Sequence, residues 1–242
     1  HYANKIHKLG GKLFVNPDGL EWKRTKWAAP IRSYLKFAEK KMVRYADLII
    51  SDNAGIKEYL TSEYGQVESE VIAYGTEKFK SDLTESETLV KYKVNDYYLI
   101  VGRFVPENNY ETLIRAFMKS STKRDLVIIT NHEGNAYFKE LREKTQFDKD
   151  SRIKFVGTVY NQNELRYIRE HAFAYLHGHE VGGTNPSLLE ALASTKLNLL
   201  LDVGFNREVG EDGAIYWKKD ELARVIEEVE GFDQVVIADL DF

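Results

Sequence analysis

Residues 172–194 read AFAYLHGHEVGGTNPSLLEALAS, which is a glycine-rich polar loop between two apolar runs. This stretch decides the fold. The apolar run over residues 172–176 predicts a strand, and the run from Ser187 to Ser194 predicts a helix that begins near Pro186. The amides of such a loop and the N-terminus of the following helix both offer N–H groups to an anion. The stretch therefore predicts a strand, an anion-binding loop and a helix in succession.

The same alternation continues along the chain in both directions. Further strands are predicted at residues 12–15, 48–50, 70–73, 97–101, 125–130, 153–156 and 197–201, and further helices at residues 31–45, 56–63, 110–120, 135–145, 164–171 and 220–230. Alternation with short links predicts parallel sheets with helices on both faces. Ligand-binding side chains are then expected in loops just after strands, near the point where the strand order reverses.

Residues 77–96 interrupt this pattern, because they are polar, mostly charged and carry few apolar anchors. The alternation restarts after them. We therefore predict two domains, residues 1–76 and residues 77–242, each an α/β lobe of Rossmann-like type with a parallel sheet.

The composition limits the classes of function. The 242 residues carry a formal net charge of −4 and no cysteine. Disulfides and thiolate metal sites are therefore excluded, and the bulk charge gives no support for nucleic-acid binding. No apolar run reaches the roughly 18 residues of a membrane span, and residues 1–5 lack the apolar core of a signal peptide. The basic segment Lys23–Lys41 leaves two interpretations open, a solvated helix face or a face that rests on anionic lipid.

A second motif follows the predicted strand at residues 97–101. Gly102 allows the backbone to approach a ligand closely, and the guanidinium of Arg103 can clamp phosphate oxygens in a fork. The alternative is an ordinary exposed arginine in a strand-to-helix loop. In the first motif, Glu190 lies about one turn into the predicted helix, where its carboxylate can accept hydrogen bonds from ribose hydroxyls.

Metal binding is the less favoured interpretation of the first motif. His177, His179 and Glu180 look like a ligand cluster, but no further ligand follows at a recognisable spacing. The Gly-Gly pair lacks the Lys-Ser/Thr of a phosphate-binding P-loop, and Asp239-Leu240-Asp241 has no strand–loop context. We therefore predict a site without metal.

Together these motifs resemble the family 4 retaining glycosyltransferases of GT-B fold. The donor lobe of that family carries a strand, then Gly-Arg, then a lysine five residues after the arginine, and later Glu-Ala-x-Ala. The segments that carry the resemblance are Gly102-Arg103, Leu113–Phe117, Ile153–Gly157 with Glu164-Leu165, Glu190–Ala193 and the hinge-like Val71–Thr76.

Two positions depart from the family pattern. Asn108 replaces the lysine, so one cation expected on the diphosphate is missing. Gly182 lies eight residues before Glu190, where the family has the glutamate that holds the transferred sugar; that glutamate is absent or displaced to Glu180. Both departures, together with Asn16–Lys23, resemble a bacterial subgroup of rhamnosyltransferases of capsule and cell-wall polysaccharide synthesis.

The resemblance implies a retaining enzyme that moves a sugar from a dTDP- or UDP-linked nucleotide diphosphate sugar to a saccharide or lipid-linked saccharide acceptor. It implies no cofactor, no metal and no nucleic-acid partner, and a cytoplasmic location with peripheral contact to the inner face of the membrane. It also implies a GT-B fold whose first lobe is incomplete. The residues it assigns are Arg103, Asn108 and Glu190 as catalytic, Gly102, Val159, Tyr160, Gly182, Gly183, Thr184, Asn185, Ser187 and Leu188 as donor-binding, and Asp18 and Gly19 as acceptor-side.

Two other functions remain open. The missing lysine and glutamate favour a non-catalytic domain that binds a nucleotide sugar or acts as a scaffold. The fold also serves epimerases and phosphorylases, since a fold does not determine a function.

Overall fold

The computed structural model describes residues 2–17, 19–24, 26–78 and 80–232, and it confirms the predicted α/β architecture with parallel sheets. The helices are α1 (Ala3–Lys8), α2 (Ala29–Tyr45), α3 (Ala54–Tyr64), α4 (Glu87–Tyr92), α5 (Tyr110–Lys119), α6 (Ala136–Thr145), α7 (Gln162–His171), α8 (Pro186–Ser194), α9 (Gly204–Gly210) and α10 (Leu222–Phe232). The strands are β1 (Phe14–Val15), β2 (Leu48–Ser51), β3 (Ser69–Val71), β4 (Tyr97–Val101), β5 (Asp125–Ile129), β6 (Ile153–Gly157), β7 (Ala174–His177), β8 (Asn198–Leu201) and β9 (Ile215–Trp217).

The chain forms two compact units. The first unit takes its described residues from His1–Thr76, Glu180–Pro186 and Val203–Val209, and the second takes the remainder. The predicted bounds, 1–76 and 77–242, do not place the two later segments with the first unit. The glycine loop after β7 therefore belongs to the first unit, although the strand before it belongs to the second.

The first unit contains a three-stranded parallel sheet in the order β1-β2-β3. Ile49 of β2 is fully buried and packs with Ile56 and Leu60 of α3. Asn53 caps α3, because its carboxamide oxygen accepts a hydrogen bond of 2.8 Å from the N–H of Ile56. The polar segment after β2 is thereby fixed at the carboxyl edge of this sheet.

The second unit contains a six-stranded parallel sheet in the order β6-β5-β4-β7-β8-β9. Two strands lie on one side of β4 and three on the other, so the strand order reverses between β4 and β7. At such a switch point the loops diverge and leave a crevice for a ligand. Gly102 and Arg103 follow β4, while Gly178 and His179 follow β7, so two of the predicted motifs lie at the switch point.

Aromatic packing fixes the loop after β4. Phe104 is buried, and its ring centroid lies 4.6 Å from that of Tyr110, 5.1 Å from that of Tyr137 and 5.8 Å from that of Phe155. Each such pair contributes about 0.5–1.5 kcal/mol beyond the area it buries. The residue after Arg103 is thus anchored in the core, which leaves Arg103 at a defined place on the edge of the sheet.

The sequence prediction missed four short elements, α1, α4, α9 and β9. Helix α4 lies inside the polar segment that was treated as a boundary, where the hydroxyl of Ser86 accepts a hydrogen bond from the N–H of Leu89. The predicted strand at residues 172–176 begins two residues too early and ends one too early, because Ala172 caps the C-terminus of α7 and β7 runs from Ala174 to His177. His177 therefore lies within the sheet and not in the loop.

Candidate functional site

The backbone of Gly102 is held in place by two hydroxyl groups. Its carbonyl accepts hydrogen bonds from the Tyr110 hydroxyl at 3.1 Å and from the Thr130 hydroxyl at 2.6 Å. A Cβ atom at this position would lie 3.3 Å from Nδ2 of Asn108. Glycine at the end of β4 thus permits a close and well-ordered turn.

Arg103 combines a fixed backbone with an available side chain. Its carbonyl accepts a hydrogen bond of 2.7 Å from Nδ2 of Asn108. The side chain is exposed, and within the described part of the chain its guanidinium has no hydrogen-bond or ion-pair partner. The full fork of donors therefore remains available to an anionic ligand.

Asn108 joins the loop after β4 to the loop after β7. Its Oδ1 lies 2.8 Å from Nδ1 of His179; since Oδ1 is an acceptor, Nδ1 of His179 carries the hydrogen. Asn109 adds a second link of 2.8 Å from its Nδ2 to the carbonyl of Gly178. A Cβ at Gly178 would lie only 2.5 Å from the carbonyl oxygen of Asn108. Both polar groups of the Asn108 side chain are thus engaged by the protein.

His177 is a buried neutral group at the same edge. Burial, together with the smaller effect of the neighbouring His179, lowers the pKa of His177 to about 3. Within the described ranges its Nε2 has no hydrogen-bond partner. The ring centroids of His177 and His179 lie 6.0 Å apart, and the described residues contain no group of three or more His, Asp and Glu side chains suited to a metal ion.

Glu190 of α8 is held by a buried arginine. Its carboxylate lies 2.5 Å from Nη2 of Arg169, whose side chain is 4% exposed, while the Glu190 side chain remains 40% exposed. Leu188, on the same helix, is buried and Ser187 is half-buried. The ion pair fixes the position of Glu190 and still leaves part of its carboxylate accessible to hydroxyl donors.

Val159 and Tyr160 follow the edge strand β6. Tyr160 is 83% exposed and Val159 is half-buried. Strand β6 is separated from β4 by β5, so these residues lie at the same edge of the sheet as Arg103 but two strands away from it. Gly157 turns the chain here with φ of 82°.

In the first unit, the loop Gly182–Asn185 packs around Asp52. The N–H of Thr184 donates a 2.7 Å hydrogen bond to Oδ2 of Asp52, and the Thr184 hydroxyl donates one of 3.2 Å to the Asp52 carbonyl. The sequence analysis expected the Thr184 amide to face a phosphate, but in this structure that N–H is engaged by Asp52. The sequence analysis assigned no site role to Asp52, because its contact with this loop lies 132 positions away in the sequence.

The acceptor-side residues could be placed only in part. Gly19 is buried, and a Cβ there would lie 2.9 Å from Cα of Gly182, so the two chain segments are in close contact within the first unit. Asp18 lies outside the described residues.

The basic segment Lys23–Lys41 is less positive than its composition indicates. Glu21 pairs with Arg24 at 2.8 Å and with Lys26 at 2.5 Å. Lys36 pairs with Glu39 and with Glu63, at 3.3 and 3.1 Å, and it also lies over the aromatic rings of Trp22, Tyr59 and Tyr64. On α2, Lys40, Lys41 and Arg44 stay exposed near Tyr34 and Phe37, which are 67% and 57% exposed.

No helix among the described residues is long and apolar enough to cross a membrane.

Residues 82–231 match the family described as "Glycosyl transferases group 1", which is more than half of the chain. The chain belongs to this glycosyltransferase family. The remaining N-terminal part, residues 1–77, matches a family described as a domain of unknown function, DUF1972. The switch point between β4 and β7 therefore lies within the part that matches the glycosyltransferase family.

Comparison with individual glycosyltransferases agrees with this assignment. The chain is 23% identical over 190 residues to the O-antigen chain mannosyltransferase RfbU of Salmonella typhimurium, covering 78% of this chain and 51% of that protein. It superposes on Anabaena HepE in complex with UDP-glucose with a TM-score of 0.75 at 17% identity, covering 96% and 66% of the two chains. For the trehalose 6-phosphate synthase of Burkholderia multivorans the TM-score is 0.68 at 13% identity, with 98% and 62% covered. These likenesses confirm the GT-B fold; the chain spans about half the length of the Salmonella relative.

Proposed function

We propose that this chain binds a nucleotide diphosphate sugar, and that the whole protein transfers the sugar to a saccharide or lipid-linked saccharide acceptor. One observation carries the proposal. At the switch point of the six-stranded sheet, an ordered loop presents Arg103 with its guanidinium unpaired among the described residues. Parallel sheets bind their ligands at this location, and the family assignment supports sugar transfer as the reaction.

The proposed chemistry is electrostatic stabilisation of the leaving nucleoside diphosphate. Negative charge grows on the diphosphate as its bond to the sugar breaks, and Arg103 can bind two oxygens with its fork. A well-placed donor of this kind contributes about 3–4 kcal/mol to catalysis. Because the Arg103 cation supplies this stabilisation, we propose a metal-independent reaction. In this proposal Glu190, oriented by Arg169, accepts hydrogen bonds from the ribose.

The transferred sugar, the donor nucleotide, the stereochemistry of transfer and the location of the protein are also proposals. The resemblance around Asn108 and Gly182 supports rhamnose as the transferred sugar, a dTDP- or UDP-linked donor and a retaining mechanism. The Salmonella relative acts on an O-antigen chain, which supports a role in bacterial polysaccharide synthesis such as that of a capsule. We place the protein in the cytoplasm, with Lys40, Lys41 and Arg44 in contact with an anionic membrane; each contributes about 1 kcal/mol there.

A second candidate is a non-catalytic domain that binds a nucleotide sugar. It is favoured by Asn108, which supplies no positive charge and whose side chain is fully engaged by Arg103 and His179. Turnover of a labelled nucleotide sugar by the whole protein, with and without acceptor, separates the two. Transfer to acceptor supports the transferase, binding without turnover supports the second candidate, and conversion of the donor without acceptor indicates an epimerase.

Thermal unfolding with a panel of ligands tests the binding step on this chain. We expect UDP or dTDP and their sugar conjugates to raise the melting temperature, since a ligand that binds only the folded state stabilises it by RT ln(1 + [L]/Kd). Uridine and thymidine at equal concentration should give a much smaller shift, because they lack the diphosphate. If no nucleotide in the panel shifts the melting temperature, the proposal is wrong.

A further inference from the structure

The carbonyl of Gly102, directly after β4, accepts two side-chain hydrogen bonds inside the second unit. The Tyr110 hydroxyl of α5 donates at 3.1 Å, and the hydroxyl of Thr130, which follows β5, donates at 2.6 Å. Tyr110 and Thr130 are buried, at 0% and 2% exposure. A carbonyl oxygen has two lone pairs, and a single donor is enough to satisfy it. The second donor therefore fixes the direction in which this carbonyl points.

That carbonyl belongs to the same peptide group as the N–H of Arg103. A trans peptide group is planar, and its C=O and N–H point in opposite directions. The described part of the chain contains no cis peptide bond. Since the Gly102 carbonyl points towards two buried hydroxyls, the N–H of Arg103 points away from them. Arg103 is exposed, so this N–H lies on the accessible side of the switch point.

The N–H of Arg103 has no hydrogen-bond partner in the part of the chain that the structure describes. The N–H groups nearby are engaged: that of Gly102 donates to the Ile129 carbonyl at 3.2 Å. That of Val105 donates to the Arg103 carbonyl at 3.0 Å. Arg103 thus offers a backbone N–H beside its guanidinium fork. Because both groups only donate, they are suited to the oxygens of an anion.

Thr130 is itself held in place from its other side. Its N–H donates a hydrogen bond of 2.9 Å to the carbonyl of Gly157, the last residue of β6. Strand β5 lies between β4 and β6 in the sheet. The backbone of Thr130 is therefore tied to one neighbouring strand, and its hydroxyl holds the loop after the other. A hydroxyl on so fixed a backbone can set the orientation of the Gly102 peptide group.

We propose that the backbone N–H of Arg103 binds an oxygen of the donor's diphosphate, and that Thr130 and Tyr110 are the positioning residues that aim it. This inference rests on the proposed function and adds a second donor to its phosphate site. A preoriented N–H stabilises the charge that grows on the leaving diphosphate without having to reorient. Position 108 lacks the lysine that the sequence resemblance predicts, and a backbone donor offsets part of that loss.

Thr130→Val tests the positioning role by calorimetry on the full chain, because valine keeps the branched shape of threonine and removes its hydroxyl. Affinity for UDP or dTDP should fall about three- to tenfold, since one of the two hydrogen bonds that aim the N–H is lost. Thr130→Ser keeps the hydroxyl and should recover most of that affinity. Uridine and thymidine should bind as they do to the unsubstituted chain, because they carry no phosphate.

The matched control is Thr145→Val. The Thr145 hydroxyl is also buried and donates at 2.7 Å to a backbone carbonyl, that of Leu141 in α6. Both valine variants lose a buried hydroxyl, but only Thr130→Val should weaken binding of the nucleoside diphosphate. If the two variants bind UDP and dTDP equally well, Thr130 has only a structural role and the inference is wrong. Failure of Thr130→Ser to recover affinity would overturn it too.

Tyr110→Phe provides a second variant that does not depend on the folding of Thr130→Val. It removes the other hydroxyl that holds the Gly102 carbonyl and should produce the same selective loss of UDP and dTDP affinity. A Tyr110→Phe protein that binds these ligands and their nucleosides with unchanged affinity would contradict the proposed aiming of the N–H.

Inorganic diphosphate separates the inference from the proposed function. If the unsubstituted chain binds no nucleotide, the proposed function is wrong, and thermal protection by inorganic diphosphate then decides about the Arg103 N–H. Protection that Thr130→Val reduces and Thr145→Val leaves intact supports the phosphate donor. No protection, or equal protection of the two variants, overturns the inference.

Discussion

Replacing Asn108 by alanine removes the side chain that connects the two loops of the switch point. Two hydrogen bonds disappear, one of 2.7 Å to the Arg103 carbonyl and one of 2.8 Å from Nδ1 of the buried His179. A neutral hydrogen bond contributes about 0.5–1.5 kcal/mol net, and a buried donor that loses its acceptor costs about 1–3 kcal/mol. We expect Asn108→Ala to lower the free energy of unfolding by about 2–4 kcal/mol.

Differential scanning calorimetry and urea unfolding measure this loss. For a chain of this size about 1 kcal/mol corresponds to roughly 2–4 °C, so the melting temperature should fall by roughly 5–15 °C. The matched control is Asn95→Ala, since Asn95 is exposed and has no hydrogen-bond partner among the described residues; its effect should stay within about 0.5 kcal/mol. If Asn108→Ala lowers the melting temperature no more than Asn95→Ala does, these hydrogen bonds do not order the loop.

Two further predictions concern the same edge of the sheet. Gly178→Ala should lower the free energy of unfolding, measured by urea titration, by about 1–3 kcal/mol, because the new Cβ would lie 2.5 Å from the Asn108 carbonyl oxygen. The control Gly231→Ala should leave it nearly unchanged, because a Cβ there meets no atom within 4 Å. Burial lowers the pKa of His177 from 6.5 to about 3. Between these two pH values the unfolded chain binds a proton at His177 and the folded chain does not, so the free energy of unfolding decreases as the pH falls from 6.5 towards 3. Between pH 7 and pH 5 the unsubstituted protein should therefore lose about 2 kcal/mol more than His177→Asn, and parallel pH profiles of the two proteins would contradict this.

The alternation of apolar and polar runs was sufficient to predict most of the second unit. Strand β4 was predicted at its observed bounds, because a short apolar run that ends in Gly-Arg has few other structures available. The positions of the candidate loops at the ends of β4 and β7 follow from the same pattern, since parallel strands place their carboxyl ends at one edge. That these loops bind a ligand stays a prediction. The sequence does not indicate which strands are neighbours. The structure was needed to show that β4 and β7 flank the switch point.

The features that the sequence did not reveal depend on contacts between distant residues. Asp52 and Thr184 are 132 positions apart, and no local pattern indicates that one carboxylate fixes the other segment. Arg169 appears in the sequence as one charge on an amphipathic helix, yet it is buried and paired with Glu190. Helix α4 was missed because six residues are too few for a clear hydrophobic period, and its cap and packing supply the stability.

Binding of nucleotides to Arg103→Ala tests the central claim, that the edge after β4 binds the diphosphate of a nucleotide sugar. The matched control is Lys119→Ala, which removes one exposed positive charge at the end of α5. Because a hydrogen bond to a charged group contributes about 1.5–3 kcal/mol, calorimetry should show a ten- to hundredfold loss of affinity for UDP or dTDP in Arg103→Ala. Uridine and thymidine should bind as before, and Lys119→Ala should bind all four ligands like the unsubstituted chain. Equal weakening of the nucleoside and its diphosphate in Arg103→Ala would contradict the claim and place the phosphate site elsewhere.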